Sequence, residues 1–465
     1  MRNKLFGSRE FYHRVLAISV PIMVQNAITN FVSLLDNVMI GRVGTVEMSG
    51  VAIANQLLFV FNMLVFGAIA GAGIFGAQFF GNRDMDGVRH TLRFKLMICL
   101  VLAAACIGIF TAFGPQLINL YLKGEGAVED AEASLHYGLQ YIKVMYIGML
   151  PYAITQAYAG TLRETGETLL PMKAGIVAVL VNLTFNYILI FGHFGAPRMG
   201  VVGAAIATVL SRFVELAIVV SWAHRHAVRF PYITGLYRSL QIPARLFHDI
   251  LRRGTPLLVN EGLWAAGMAM LNQCYSLRSL DVVAATNISS TIWNLFACVY
   301  LALGSAISIM VGQELGAGDF EKAKVTARQT TAFSVAISIG VGLLMAFVGT
   351  YFPLIYRTTD TVRHLATNFI RIGACLMPFT AMTNALYFTL RAGGKTMVTF
   401  LFDSAFVWLI NIPVAYVLSR YTAMPILLLY ACCQSLEIIK CIIGTVMVKK
   451  GIWINNIVAD KKGEV

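Results

Sequence analysis

Residues 48–82 read MSGVAIANQLLFVFNMLVFGAIAGAGIFGAQFFGN, thirty-five residues in a row without a charged side chain. About 18 apolar residues suffice to carry a helix across the hydrocarbon core of a bilayer. Seven further runs reach that length: 15–35, 96–122, 144–162, 174–197, 282–313, 329–356 and 372–390. Shorter apolar runs, broken by single charges, cover 199–224, 254–277, 397–419 and 421–448. The pattern predicts twelve spanning helices. A transmembrane β-barrel would alternate apolar and polar residues, and these runs are continuously apolar.

Composition agrees. The chain has 465 residues, 58% of them hydrophobic and 13% charged, with a mean hydropathy of +0.71. Soluble domains carry about 25% charged residues, so this chain cannot cover itself with a wetted surface. Soluble enzymes, secreted disulfide scaffolds and disordered proteins are excluded, and the lipid bilayer is the first partner. All eight cysteines fall inside apolar stretches, where they act as small hydrophobes. The first apolar run is too long for a signal-peptide core and has no small-residue cleavage site, so no cleavable leader is expected.

The net charge of +13 is a topology signal rather than a nucleic-acid footprint. With the N-terminus inside, inner segments hold 25 of the 36 Lys and Arg and outer loops hold 7. The remaining four, Lys143, Arg212, Arg371 and Lys440, lie within spans. The positive-inside rule then places both termini in the cytoplasm. The outer segment 123–132 is acidic by three charges.

The chain also repeats itself. An offset of 235 residues lays His13 on His248, Pro21 on Pro256, Asn37 on Asn272, Gln78 on Gln313, Gly81 on Gly316 and Asp84 on Asp319. Later the offset shortens to 228, where Arg163-Glu-Thr-Gly-Glu-Thr matches Arg391-Ala-Gly-Gly-Lys-Thr. Six helices is an even number, so both halves start on the same side and the repeats are parallel. The expected fold class is an all-α polytopic membrane protein, with twelve transmembrane helices in two parallel six-helix repeats around a central cleft. The N-lobe would span 1–224, a basic cytoplasmic linker 225–250, the C-lobe 251–449 and a cytoplasmic tail 450–465. Two such bundles can rock to give alternating access. In the loops Gln78-Phe-Phe-Gly-Asn-Arg-Asp and Gln313-Glu-Leu-Gly-Ala-Gly-Asp, glycine is expected to end one helix and Asp to cap the next.

Several motifs in this order resemble the multidrug and toxic compound extrusion (MATE) family. They are Asp36-Asn-Val-Met-Ile-Gly, the two Gln-x-x-Gly loops, Arg163-Glu-Thr-Gly-Glu-Thr, and Asn186-Tyr-Ile-Leu-Ile-Phe-Gly followed by Gly203-Ala-Ala-Ile-Ala-Thr. The similarity runs from about residue 10 to 450. It implies a cation-coupled antiporter that exports organic, often cationic, compounds. A length near 465 resembles the family's bacterial and archaeal members, which implies a multi-pass protein of the bacterial inner membrane, expected to be a monomer. The Gly393-Gly-Lys-Thr segment is not a P-loop, since Thr389 stands where the motif needs glycine. No ATPase module or cofactor is expected; an H+ or Na+ gradient would drive transport.

Ionisable groups inside a membrane are costly and so are functional candidates. The in-span acids are Asp36, Glu215, Glu261, Glu314, Asp403 and Glu437. Glu215 lies three residues after Arg212 and Glu437 three before Lys440, spacings that predict pairs on one helix face. Glu314 is expected near water at a helix end. Asp36 has no basic residue within its own turn, so it suits proton exchange or, with neutral oxygen ligands, Na+. The resemblance assigns Asp36 the coupling-ion role and implies Asn182, Asn186 and Thr208 as its partners. Asn182 and Asn186 are four apart, on one helical face. Many relatives carry aspartate where this chain has Asn186, a departure that weakens a Na+ site and favours H+. Relatives also carry a proline at Pro21, where the first helix can bend.

In the second half, Glu261 matches a family glutamate that serves cation coupling in another branch. The aspartate that partners it there falls on Thr380, so Glu261 could instead attract a cationic substrate. Asp403 lies in the eleventh span with substrate, ion and structural roles open. Trp222 and Trp453 are expected at the membrane interfaces. The rival readings are a lipid-linked oligosaccharide flippase of the same superfamily, an intramembrane enzyme and a channel. The flippase would gain if Lys143 and Arg371 both faced the cleft. No metal cluster, nucleophile–base set or selectivity filter is visible for the others.

Overall fold

Inside a bilayer the backbone has no water to bond, so an apolar run must close its hydrogen bonds within itself. The computed structural model describes residues 7–122, 128–356 and 358–459. The acidic outer segment expected over 123–132 lies partly outside them. Among the described residues there are twelve long helices and no strand. They are α1 (Arg9–Gly41), α2 (Thr45–Gly81), α3 (Met85–Leu122), α4 (Val128–Glu164), α5 (Leu169–Phe191) and α6 (Gly200–Arg225). The second half repeats the series with α7 (Ala244–Ser276), α8 (Leu280–Gly316), α9 (Phe320–Tyr351), α10 (Asp360–Ala392), α11 (Thr396–Tyr421) and α12 (Ile426–Lys449). The fold class is therefore the expected one, all-α and polytopic in two six-helix halves.

Ten of these helices are long and apolar enough to cross a membrane by length and composition. The exceptions are α4 and α7, whose spans are interrupted by polar groups such as Tyr141 and Tyr152 in one, Asn260 and Glu261 in the other. At 37 residues α2 and α8 are roughly 55 Å long, well beyond a ~30 Å hydrocarbon core. Their ends must stand in the aqueous boundary.

By contacts the described residues fall into two units, one of 24–76 and 85–248, the other of 7–23, 77–84 and 249–459. The helix α1 runs unbroken through Pro21, and the division falls just past it, between Met23 and Val24. In the first unit α6 packs on α4 and α5, and α3 on α4. In the second, α10 packs on α8, α9 and α12.

The basic linker and the start of the tail are tied down rather than loose. In the first unit, Arg93 donates from Nε to Leu236 O (2.9 Å) and from Nη2 to Gly235 O (2.8 Å). Arg89 does the same to Tyr232 O (3.2 Å) and Pro231 O (3.1 Å). Tyr232 is buried, with its hydroxyl 3.0 Å from that of Thr165, and burial pushes its pKa up. In the second unit the chain after α12 turns back onto the bundle. Trp453 is 2% exposed and its Nε1 bonds Val448 O at 3.1 Å. It is a buried plug, not the interfacial anchor expected of it, because the chain reverses beyond Lys449 and folds the ring inward.

The motif glycines of the two Gln-x-x-Gly loops end α2 and α8 as expected, but the left-handed turn expected of them falls elsewhere. The left-handed positions are Arg83 (φ 58°) and Gly318 (φ 78°), two residues past each motif glycine. Gly81 and Gly316 instead allow contact between the loops. A Cβ on Gly81 would stand 1.9 Å from Gln313 O, and one on Gly316 would stand 1.9 Å from Gln78 O. The side chain of Gln78 then donates to Ala392 O (3.0 Å) and Asn455 O (3.2 Å) and accepts from Ile457 N (2.9 Å). Asp319 does cap α9, accepting from Lys322 N at 3.1 Å, as expected.

Gly81→Ala and Gly316→Ala should each destabilise the protein by about 3 kcal/mol, the upper end for overpacking, since the obstacle is backbone and cannot rotate away. Combining them should cost little more than either, because one separation of the loops relieves both clashes. Gly108→Ala, with nothing within 4 Å of the added carbon, is the control. Thermal melting of the purified proteins checks this, and a normal Gly81→Ala melting temperature would disprove the reading.

Candidate functional site

The first unit gathers four of the residues singled out in the sequence. Asn182 and Asn186 lie buried on one face of α5, Asp36 is on α1 and Thr208 on α6. Asn186 Nδ2 donates to Asp36 Oδ1 at 2.6 Å and to Asn182 Oδ1 at 3.0 Å. Asn182 Nδ2 donates to Thr208 Oγ1 at 3.1 Å, and that hydroxyl donates to Ala204 O at 3.0 Å. The Asn186 amide thus donates both ways, once to the carboxylate and once into a chain that runs through Asn182 and Thr208 to Ala204 O. The Oδ1 of Asn186 is buried without a hydrogen-bond partner.

Asp36, Asn186 and Thr208 open into a cavity of about 410 Å³, within the range of small-molecule sites. Asp36 is the only carboxylate among the residues lining it. Sequence reasoning missed Asn55 and Asn62 of α2 and Tyr141 and Tyr152 of α4, which line the same space. A signal existed: seven and eleven residues are two and three helical turns, so each pair lies on one face. Arg212 was read as half of a local pair. The pair forms, at 3.4 Å to Glu215 Oε2, but Arg212 also lines the cavity, its guanidinium 4.7 Å from the Tyr152 ring centroid.

The second unit holds a separate polar cluster. Asn260 and Glu261 come from α7, Tyr387 and Arg391 from α10, Asp403 and Ser404 from α11, and Lys440 from α12. Lys440 Nζ lies 2.6 Å from Asp403 Oδ1, and Asn260 Nδ2 donates to Asp403 Oδ2 at 3.1 Å. The helix-face rule gave Lys440 to Glu437, and the structure corrects it: Asp403 of α11 takes the lysine at 2.6 Å, and no Glu437–Lys440 pair forms within 4.0 Å among the described residues. Glu437 Oε2 is buried without a hydrogen-bond partner. Asp403 lies in Leu401–Ala405, the first of two π-helical segments of α11, with Val407–Asn411 the second; such widened turns recur at functional sites.

Glu261 lies in electrostatic reach of Arg391 and Asp403. Thr380, where the branch with that glutamate has its aspartate, donates back to Leu376 O on its own helix at 3.4 Å. Glu314 is buried, not wet, with Arg14 Nη1 at 3.6 Å and Lys322 Nζ at 4.0 Å. Lys143 and Arg371 are exposed, and neither lines the first unit's cavity.

Comparison with known proteins accounts for this arrangement. The MatE family matches residues 21–188 and 257–417, most of both halves. The chain belongs to the MatE family. It is therefore a multi-pass membrane transporter of the multidrug and toxic compound extrusion type, and not an enzyme. The chain is 24% identical over 418 residues to the probable multidrug resistance protein NorM of Thermotoga maritima, covering 90% of this chain and 88% of that protein. It is 23% identical over 410 residues to the probable multidrug resistance protein YoeA of Bacillus subtilis, covering 88% and 87%. Among solved structures, a MATE in complex with MaL6 superimposes with a TM-score of 0.84 at 18% identity, over 97% of both chains. An outward-facing multidrug resistance MATE transporter of the MOP superfamily gives 0.82 at 19% identity, again over 97% of both. At those identities the likeness speaks for the fold.

Proposed function

We propose that this MatE protein exports organic compounds, cationic or amphipathic ones of the kind its relatives' names suggest, by antiport against H+ or Na+. The observation that carries the proposal is Asp36. It is a carboxylate in a cavity, held by the amide of Asn186 at 2.6 Å, with no ion pair within 4.0 Å among the described residues. An unpaired membrane carboxylate is costly unless an ion neutralises it. Binding of H+ or Na+ and binding of a cationic cargo are then competing ways to meet the same need, and competition of that kind is antiport. Asn182, Asn186 and Thr208 are the neutral partners, and the unused Asn186 Oδ1 is a further oxygen for a hard cation.

Two lobes, 1–224 and 251–449, joined by the segment 225–250, would alternate access to the two sides of the membrane. Pro21 is the hinge of α1, because a proline inside a helix removes a ladder hydrogen bond. Glu261 would draw cationic cargo in the second lobe. The protein would work as a monomer without a cofactor, in a bacterial inner membrane with both termini in the cytoplasm.

The test is ethidium movement in proteoliposomes carrying either a pH or a Na+ gradient. One of the two should drive uphill dye movement, and collapsing it with the matching ionophore should stop that movement. No movement under either gradient by folded protein would overturn the antiport reading.

A further inference from the structure

The two halves use one matching cation in different ways. The 228-residue offset that lays Arg163 on Arg391 also lays Arg212 on Lys440. In the first lobe Arg212 turns to Glu215, 3.4 Å away, and to the face of Tyr152. Among the described residues no cation comes within ion-pair distance of Asp36, and Arg212 acts on it only from farther across the cavity. In the second lobe Lys440 turns to Asp403 instead, at 2.6 Å.

The surroundings of Asp403 leave no room for another cation. Oδ1 faces the ammonium and Oδ2 accepts from Asn260 Nδ2. The neutral oxygen beside them is also engaged, because Asn260 Oδ1 accepts from Ser404 Oγ at 2.7 Å and from Ser404 N at 3.3 Å. Lys440 is 7% exposed at its side chain, and its Nζ is 5.4 Å from the centre of the Phe402 ring. An ammonium on a tether gives up no translational freedom to stay bound. A free Na+ could take its place only by stranding a buried charge, which is strongly unfavourable. The charged and titratable groups around the pair are Glu261 on α7, Tyr387 and Arg391 on α10, and Glu437 on α12. None of them is within ion-pair distance of the ammonium among the described residues.

We propose that Lys440 is a resident cation of the second lobe. Its ammonium fills the place at Asp403 that an alkali ion would take, so Asp403 binds no Na+ and is not a second coupling-ion site. The inference rests on the antiport reading for the word coupling, but the Na+ exclusion at Asp403 does not.

Melting temperature in NaCl, compared with equimolar choline chloride, tests it in an Asp36→Asn background, where the first lobe cannot contribute. With Lys440 in place no Na+-specific stabilisation should appear. Adding Lys440→Met should create a saturable Na+-specific rise of about 3 °C, the size mass action gives when an ion is well above its Kd. Adding Asp403→Asn as well should abolish that rise. A folded Lys440→Met protein, or the milder Lys440→Gln, that shows no Na+ response overturns the proposal. The Lys440-intact arm decides even if neither variant folds: a Na+ response there that Asp403→Asn removes is fatal to the idea, and no response upholds it. Failure of antiport itself would show separately, in the dye movement of the wild-type protein.

Discussion

Asp36→Asn should reduce gradient-driven dye export to the level of liposomes without protein, while leaving the folded state as stable as before. The two side chains have the same shape. An asparagine Oδ1 still accepts from Asn186 Nδ2, which now bonds the carboxylate at 2.6 Å, so the chain through Asn182 and Thr208 survives. What disappears is the ability to hold and release a monovalent cation. Among the described residues Asp36 is the only carboxylate lining its cavity, so no described neighbour can take over. Removing a membrane charge lowers the cost of folding, hence the melting temperature should hold or rise. Dye binding to detergent-solubilised protein should change far less than dye transport, because the cavity keeps its aromatic and amide lining. If Asp36→Asn still accumulates dye against its gradient at the wild-type rate, the coupling ion is elsewhere.

Glu164→Ala should cost about 3–5 kcal/mol, the penalty for leaving one partner of a buried ion pair behind. Lys95 is fully buried, its Nζ 2.8 and 2.6 Å from the two carboxylate oxygens of Glu164 and 2.9 Å from Thr161 Oγ1. Without Glu164 the ammonium keeps one neutral partner and cannot reach water. The double variant Lys95→Met/Glu164→Met should regain most of the loss, since a buried pair can be exchanged for apolar groups at little cost. Thermal melting and the yield of monodisperse protein measure both. A single variant as stable as wild type would mean that water reaches Lys95. The Arg163-Glu-Thr-Gly-Glu-Thr motif marks the family in the sequence, yet the burial of its glutamate against a lysine 69 residues away is invisible there.

The same contrast runs through the candidate site. The face shared by Asn182 and Asn186 follows from their spacing, because a helix repeats every 3.6 residues. Which carboxylate that face meets does not, and Asp36 was assigned by resemblance. Asn55, Asn62, Tyr141 and Tyr152 carried the same periodic signal, but in membrane helices polar faces also pack for structure. Only the shape of the cavity separates the two uses.

Long apolar runs determined by themselves that the chain is helical and crosses the membrane about a dozen times, because lipid offers the backbone no outside partner. The internal offset determined that the helices come in two like halves. Pairings between helices were decided by tertiary structure alone. Local spacing gave Lys440 to Glu437, and α11 gave it to Asp403. A helix end suggested water for Glu314 and an interface for Trp453, and packing buried both. The motif glycines end their helices as the sequence suggested, and only the fold shows that two loops touch there. Secondary structure in lipid is a local demand of each segment's own hydrogen bonds, whereas the partner of a charge depends on which side chains the fold brings within a few ångströms.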